Sequence, residues 1–184
     1  MRKLLAAALI FSLVSFIGCG KEKAQGPQKV AESSSNETVG LKAHDFSFKS
    51  VDGKNIKLSD FKGKVVILQF FGTFCDPCKA EMPFLENLYK KYNGKIEVIG
   101  LCVDYIGKSP SELKSFVKEM KISYPVVIPD ENTWYQYAYI TETDAIPQTF
   151  IIDKEGYIRY FNVGYTPQYD YLFEKAVEEL LSEK

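Results

Sequence analysis

VVILQFFGTFCDPCKAEMPFL, residues 65–85, is the passage on which the fold turns. Val65 to Phe71 is an almost unbroken apolar run, as expected of a strand buried on both faces in a parallel or central position. Beyond the cysteines, Met82, Leu85, Leu88, Tyr89 and Tyr92 recur at helical spacing. The passage reads as strand, then helix, with Cys75 following the strand, Pro77 in the first helical turn and Cys78 one residue further in. A sulfur near a helix N-terminus meets the dipole and free backbone N–H groups, which favour thiolate over thiol. The two-residue spacer also lets the sulfurs close a small disulfide ring. A metal clip, a structural disulfide and a redox centre are the readings open at this point.

The rest of the chain narrows them. A zinc site needs four ligands, and beyond the motif and Cys19 only Cys102 and His44 are available. A copper chaperone of the Sco type would carry Cys-x-x-x-Cys and a downstream His, and no His follows His44. A peroxiredoxin would have Pro and Thr where this chain has Leu68 and Gly72. A structural disulfide remains open, but so short a loop contributes little chain-entropy stabilisation, and redox chemistry explains the spacing better. The net charge of −1 and the lack of a basic stripe argue against nucleic acid. The expected partner is a protein or a small thiol, with no metal and no cofactor.

At the N-terminus, Arg2 and Lys3 precede an uncharged run from Leu4 to Ile17, too short for a membrane span and suited to an export signal. Its end, Phe16-Ile17-Gly18-Cys19, resembles a bacterial lipobox, which implies a signal peptide over 1–18 and lipidation of Cys19. Residues 19–39 are polar and small, with almost nothing to bury, and read as a flexible tether. Residues 40–184 have the length of one domain with a full core.

Within that domain, Phe46 to Phe48 and Ile56 to Leu58 flank Asp52-Gly53 and predict a short N-terminal hairpin. Ile96 to Val103 is a second buried strand. Ser109 as N-cap, Pro110 and Glu112 predict a helix opened by a capping box and running to about Met120. Val126 to Ile128 reads as a strand, and Asn132 to Tyr139 as an aromatic helix that completes a core. Phe150 to Asp153 and Tyr157 to Val163 form a hairpin around Lys154-Glu155-Gly156. A last helix begins near Thr166-Pro167, with Leu172, Ala176, Val177 and Leu180 facing the core. The fold class is α/β.

Strand, Cys-x-Pro-Cys, helix and a distant Ile146-Pro147 before a strand resemble the thioredoxin superfamily. LSDFKGKVVILQFFGTFCDPCKAEMPFL and IPQTFIIDKEGYI are similar to the TlpA and ResA group of membrane-tethered, extracytoplasmic thiol-disulfide oxidoreductases. The resemblance implies a thioredoxin-like fold, with a central mixed sheet flanked by helices, behind the N-terminal hairpin. It implies Cys75 as nucleophile, Cys78 as resolving thiol and a cis bond before Pro147 that sets the Ile146 backbone, with Phe74 and Pro77, beside an extended substrate. Pro83 would kink the first helix at a cost of about 3 kcal/mol, in a packing role.

Two positions depart from the pattern: Phe74 stands where Trp is usual, and Gln69 where cytoplasmic thioredoxins carry an acid. The substitute carboxylate is Glu81. Pro77, Cys78, Phe84 and Leu85 occupy its helical neighbour positions, so no cation there can pair with it. The resemblance likewise implies that this Glu tunes the thiols. Asp76 and Glu81 together are expected to put negative charge near Cys75 and push the site toward the reducing end. Implied partners are disulfide-bearing exported proteins, apocytochrome c among them, and a membrane electron donor of the DsbD or CcdA type. Cys102 reads as a buried, inert thiol. His44 is given no role.

Overall fold

The computed structural model describes residues 26–30 and 40–183. Its strands are β1 (Gln28–Lys29), β2 (Leu41–Lys42), β3 (Ser47–Lys49), β4 (Asn55–Lys57), β5 (Val65–Phe71), β6 (Ile96–Cys102), β7 (Val126–Val127), β8 (Gln148–Ile152) and β9 (Tyr157–Val163). The helices are α1 (Asp76–Lys91), α2 (Pro110–Glu119), α3 (Glu131–Thr141) and α4 (Asp170–Ser182).

The main sheet runs β1-β9-β8-β5-β6-β7, with β2 also on β9. Strands β5, β6 and β7 are parallel, while β8 and β9 run antiparallel to their neighbours. Every residue of β5 and of β6 is buried, because helices or loops cover both faces. Alternation along β5 divides the interior. Val65, Ile67 and Phe71 join Met82 and Leu85 of α1, Leu113 of α2 and Phe173 and Val177 of α4. Val66, Leu68 and Phe70 meet Trp134 and Tyr137 of α3, together with Phe46 and Ile56 of the N-terminal hairpin. The central mixed sheet with flanking helices matches the expected class.

Some local expectations shift. The hairpin of β3 and β4 forms about Gly53, which sits at φ 91°, where a residue with a Cβ is disfavoured. Ser109 does occupy the N-cap of α2, but no capping box closes. Its hydroxyl meets Ser111 at 3.3 Å, and Glu112 accepts from the Tyr105 hydroxyl instead. Leu172 is 44% exposed, and Phe173 takes its place in the core stripe of α4. The aromatic helix α3 faces two ways, with Trp134 and Tyr137 buried and Tyr135 and Tyr139 exposed. Residues Gln28 and Lys29, expected in the tether, pair with Phe161 and Tyr160 at the sheet edge. The proposed signal peptide, Cys19 and the remainder of the tether lie outside the described residues. Among the described residues, no helix is long and apolar enough to cross a membrane.

Candidate active site

The site lies where β5 ends and α1 begins. Cys75 is the N-cap of α1 in an extended conformation, and its sulfur accepts from the Cys78 N–H at 3.2 Å. Pro77 stands in the first turn, where its missing N–H removes no helical hydrogen bond. Cys75 and Cys78 are joined as a disulfide with their Cα atoms 5.3 Å apart. Cys75 is 8% exposed and Cys78 is fully buried, so of the two cysteines only the first meets the surface.

Across from the disulfide, the Ile146–Pro147 bond is cis, and the Ile146 carbonyl oxygen lies 3.7 Å from Cys75 Sγ. Phe74 is 72% exposed. A Cβ built on Gly72 would come within 3.0 Å of both the Phe74 ring and Ile146, so this glycine allows the aromatic and the Ile146 side chain to lie close together. Phe74 and Ile146 thus form an apolar ledge beside the accessible sulfur.

Behind the disulfide, Glu81 is fully buried. It accepts from Gln69 Nε2 at 2.8 Å and from the Thr149 hydroxyl at 2.9 and 3.0 Å. Gln69 Nε2 also donates to the Cys78 carbonyl at 3.3 Å, so the carboxyl is linked to the buried cysteine's backbone. Burial raises the Glu81 pKa to about 7, against the opposing effect of the bonds from Gln69 and Thr149. The charge expectation for this site is therefore modified: Glu81 carries a partial charge near neutral pH. Asp76, for its part, is exposed and paired with Lys79 at 2.7 Å, which holds its pKa low and offsets its charge. Helix α1 runs unbroken through Pro83.

Sequence reading missed Thr149 and the contact that fixes the turn before Cys75. Asp104, just past β6, accepts from the Thr73 N–H at 3.1 Å, from the Thr73 hydroxyl at 2.6 Å and from the Cys102 thiol at 3.0 Å. Cys102 is buried, and burial followed by the hydrogen bond to Asp104 and then its charge raises the pKa, which keeps it a thiol. The available signal for Thr149 was a polar residue in a fully buried strand, opposite Gln69 in the register of β5 and β8. Among the described residues, no group of three or more His, Cys, Asp or Glu side chains is placed to hold a metal ion.

A dithiol at a helix N-terminus, facing a cis-proline loop, can exchange disulfides with another protein. The AhpC/TSA family profile matches residues 39–161. Over 154 residues the chain is 36% identical to a thiol-disulfide oxidoreductase ResA of Bacillus cereus, covering 83% of this chain and 78% of that one. The chain belongs to the AhpC/TSA family, among its ResA-type thiol-disulfide oxidoreductases. This oxidoreductase is also 30% identical to the thioredoxin-like protein YneN of Bacillus subtilis (strain 168), covering 89% of this chain and 91% of that one. Its fold resembles that of a thiol:disulfide interchange protein of the thioredoxin family from Chlorobium tepidum TLS, with TM-score 0.69 and 28% identity over 79% of this chain and 99% of the other.

Proposed function

We propose that this oxidoreductase works outside the cytoplasm, held to a membrane by a lipid on Cys19, and reduces disulfides in exported proteins. The observation that carries the direction of attack is the unequal exposure of the two cysteines. In the reduced enzyme, the Cys75 thiolate attacks one sulfur of the partner's disulfide. A mixed disulfide forms and one partner thiolate leaves. The Cys78 thiolate then attacks Cys75 Sγ, and the partner's second thiolate is released. The partner has gained two electrons and, with two protons, becomes a dithiol, while the enzyme is left as the Cys75–Cys78 disulfide.

Cys78 must lose its proton inside the protein. Glu81, buried behind the disulfide, tied through Gln69 Nε2 to the Cys78 carbonyl and with a pKa near 7, is the base that takes it. The Ile146 backbone before cis-Pro147, with Phe74 and Pro77, receives an extended stretch of the partner. Two electrons return from a membrane dithiol donor of the DsbD or CcdA type. Apocytochrome c is the substrate that the ResA resemblance suggests.

The test is substrate trapping. Cys78→Ala should accumulate mixed disulfides through Cys75 with exported proteins, and wild-type enzyme should reduce insulin disulfides when supplied with dithiothreitol. Trapping by Cys75→Ala instead would reverse the roles of the two cysteines. Failure to reduce any disulfide would overturn the reductase reading.

A further inference from the structure

Gln69 lies fully buried in β5, and its two amide atoms are treated unequally. Nε2 donates both to Glu81 Oε2 and to the Cys78 carbonyl, whereas Oε1 is buried with no hydrogen-bond partner. A buried amide oxygen left without a donor raises the free energy of the state that contains it.

The arrangement suits an ionised Glu81. A carboxylate only accepts, and both neighbours, Gln69 Nε2 and the Thr149 hydroxyl, donate to it. Once Glu81 takes up a proton, it has an O–H that needs an acceptor. Thr149 can rotate its hydroxyl to accept. Gln69 as placed offers only N–H groups, but a half-turn of its carboxamide brings Oε1 to Glu81 and gives both groups a partner. The same turn withdraws Nε2 from the Cys78 carbonyl.

We propose that the Gln69 carboxamide is a two-position device: Nε2 faces Glu81 and Cys78 when Glu81 is a carboxylate, and Oε1 faces Glu81 when it is a carboxylic acid. Gln69 is a positioning residue, coupling the proton on Glu81 to the hydrogen bonding of the Cys78 backbone. The proposal rests on the reading of Glu81 as the base for Cys78. In that step the Cys78 S–H proton passes to the Glu81 carboxylate, leaving a Cys78 thiolate and a neutral acid, and the carboxamide turns with it.

The other groups that face Glu81 are ionisable and cannot exchange an N–H for an oxygen. Asp170, at the start of α4, opposes its ionisation and accepts from the Tyr165 hydroxyl at 2.6 Å. The phenols of Tyr165 and Tyr124 have pKa values raised by burial first, with the Glu81 charge adding to it. Tyr124, whose hydroxyl is buried and unpartnered in the structure, and Tyr165 are expected to stay protonated while Glu81 titrates.

The experiment is NMR on the oxidised protein, in which neither active-site sulfur titrates. The Gln69 side-chain amide resonances and the Glu81 carboxyl carbon should move with pH about one shared midpoint, and the Gln69 response should vanish in Glu81→Gln. The Cys78 carbonyl carbon should move about the same midpoint, and in Gln69→Leu, which has neither the donor for the carboxylate nor the acceptor for the acid, that response should shrink. A Gln69 amide that stays still while Glu81 titrates overturns the device, and this readout needs no variant to fold. A Cys78 carbonyl response that is as large in a folded Gln69→Leu protein as in wild type overturns it as well. A shared midpoint together with a thiol alkylation profile that is identical in wild type and Glu81→Gln upholds the device and instead overturns the role of Glu81 as the base.

Discussion

Thr73 and Asp104 are joined twice, backbone N–H to Oδ1 at 3.1 Å and hydroxyl to Oδ2 at 2.6 Å. This pair ties the turn that carries Cys75 to the end of the neighbouring parallel strand, β6. Asp104→Ala should cost about 1–3 kcal/mol in urea unfolding, because it leaves the Thr73 donors and the Cys102 thiol without their acceptor. Thr73→Val, which keeps the N–H bond, should cost less.

The same carboxylate gives a sign to acid unfolding. Burial works against its charge, but the bonds from Cys102 and Thr73 outweigh it and hold the Asp104 pKa below 3.8. Its contribution to stability is present above the unfolded value and lost as the pH falls through the folded one. Between pH 5 and 2, Asp104→Asn should therefore lose less stability than wild type. A parallel decline in both proteins would show that Asp104 contributes nothing to this limb.

Glu81 has the opposite sign. Its folded pKa, raised by burial to about 7, lies above the ordinary 4.5, so the folded state holds a proton that the unfolded chain releases. Stability of the oxidised protein should fall as the pH rises from 4.5 to 7, by on the order of 3 kcal/mol for this group. Glu81→Gln should remove most of that slope. Calorimetry across the window checks it, and an unchanged slope would mean that another group carries the proton.

Unequal exposure predicts unequal reactivity. In the reduced protein, Cys75 should alkylate faster than Cys78 by about an order of magnitude or more, since Cys78 is the fully buried cysteine of the pair. Mass spectrometry of partially alkylated protein measures the ratio. Equal rates would contradict the assignment of Cys75 as the nucleophile.

Redox potential tests direction. A partly ionised carboxyl behind the dithiol disfavours thiolate, and hence the dithiol form, so the potential should lie below about −180 mV. Glu81→Gln should raise it, and by more at pH 8 than at pH 6, where Glu81 in the wild type is already largely neutral. A wild-type potential above that limit would favour an oxidase or isomerase.

Much of the architecture follows from short-range pattern. VVILQFF must be covered on both faces, whatever surrounds it, because no alternation offers a face to water. Cys-x-Pro-Cys at a helix start carries its own electrostatics. A proline-bearing loop far along the chain, together with that dithiol, resembles one family, and the relatives found agree. Leu172 and Phe173 show the limit of such reading. Both suit a helical stripe, and only the way α4 settles on the sheet decides that Phe173 is buried and Leu172 is 44% exposed.

The chemistry behind the disulfide depended on the tertiary structure. Gln69, Glu81 and Thr149 lie 12 and 68 residues apart along the chain, and they meet because β5 pairs with β8 and α1 packs over both. Sequence singled out Glu81 because no helical neighbour could neutralise it and because Cys78-x-x-Glu81 resembles the ResA group. That its carboxyl is fully buried, held by an amide and a hydroxyl and raised to about 7 comes from long-range packing. Asp104 and Thr73 are likewise ordinary polar residues until two adjacent parallel strands end side by side. Local sequence encodes which residues can form a strand, a cap or a thiolate. Which polar groups are taken out of water together is set by the closing of the sheet and its helices, and that desolvation is what shifts their proton affinities.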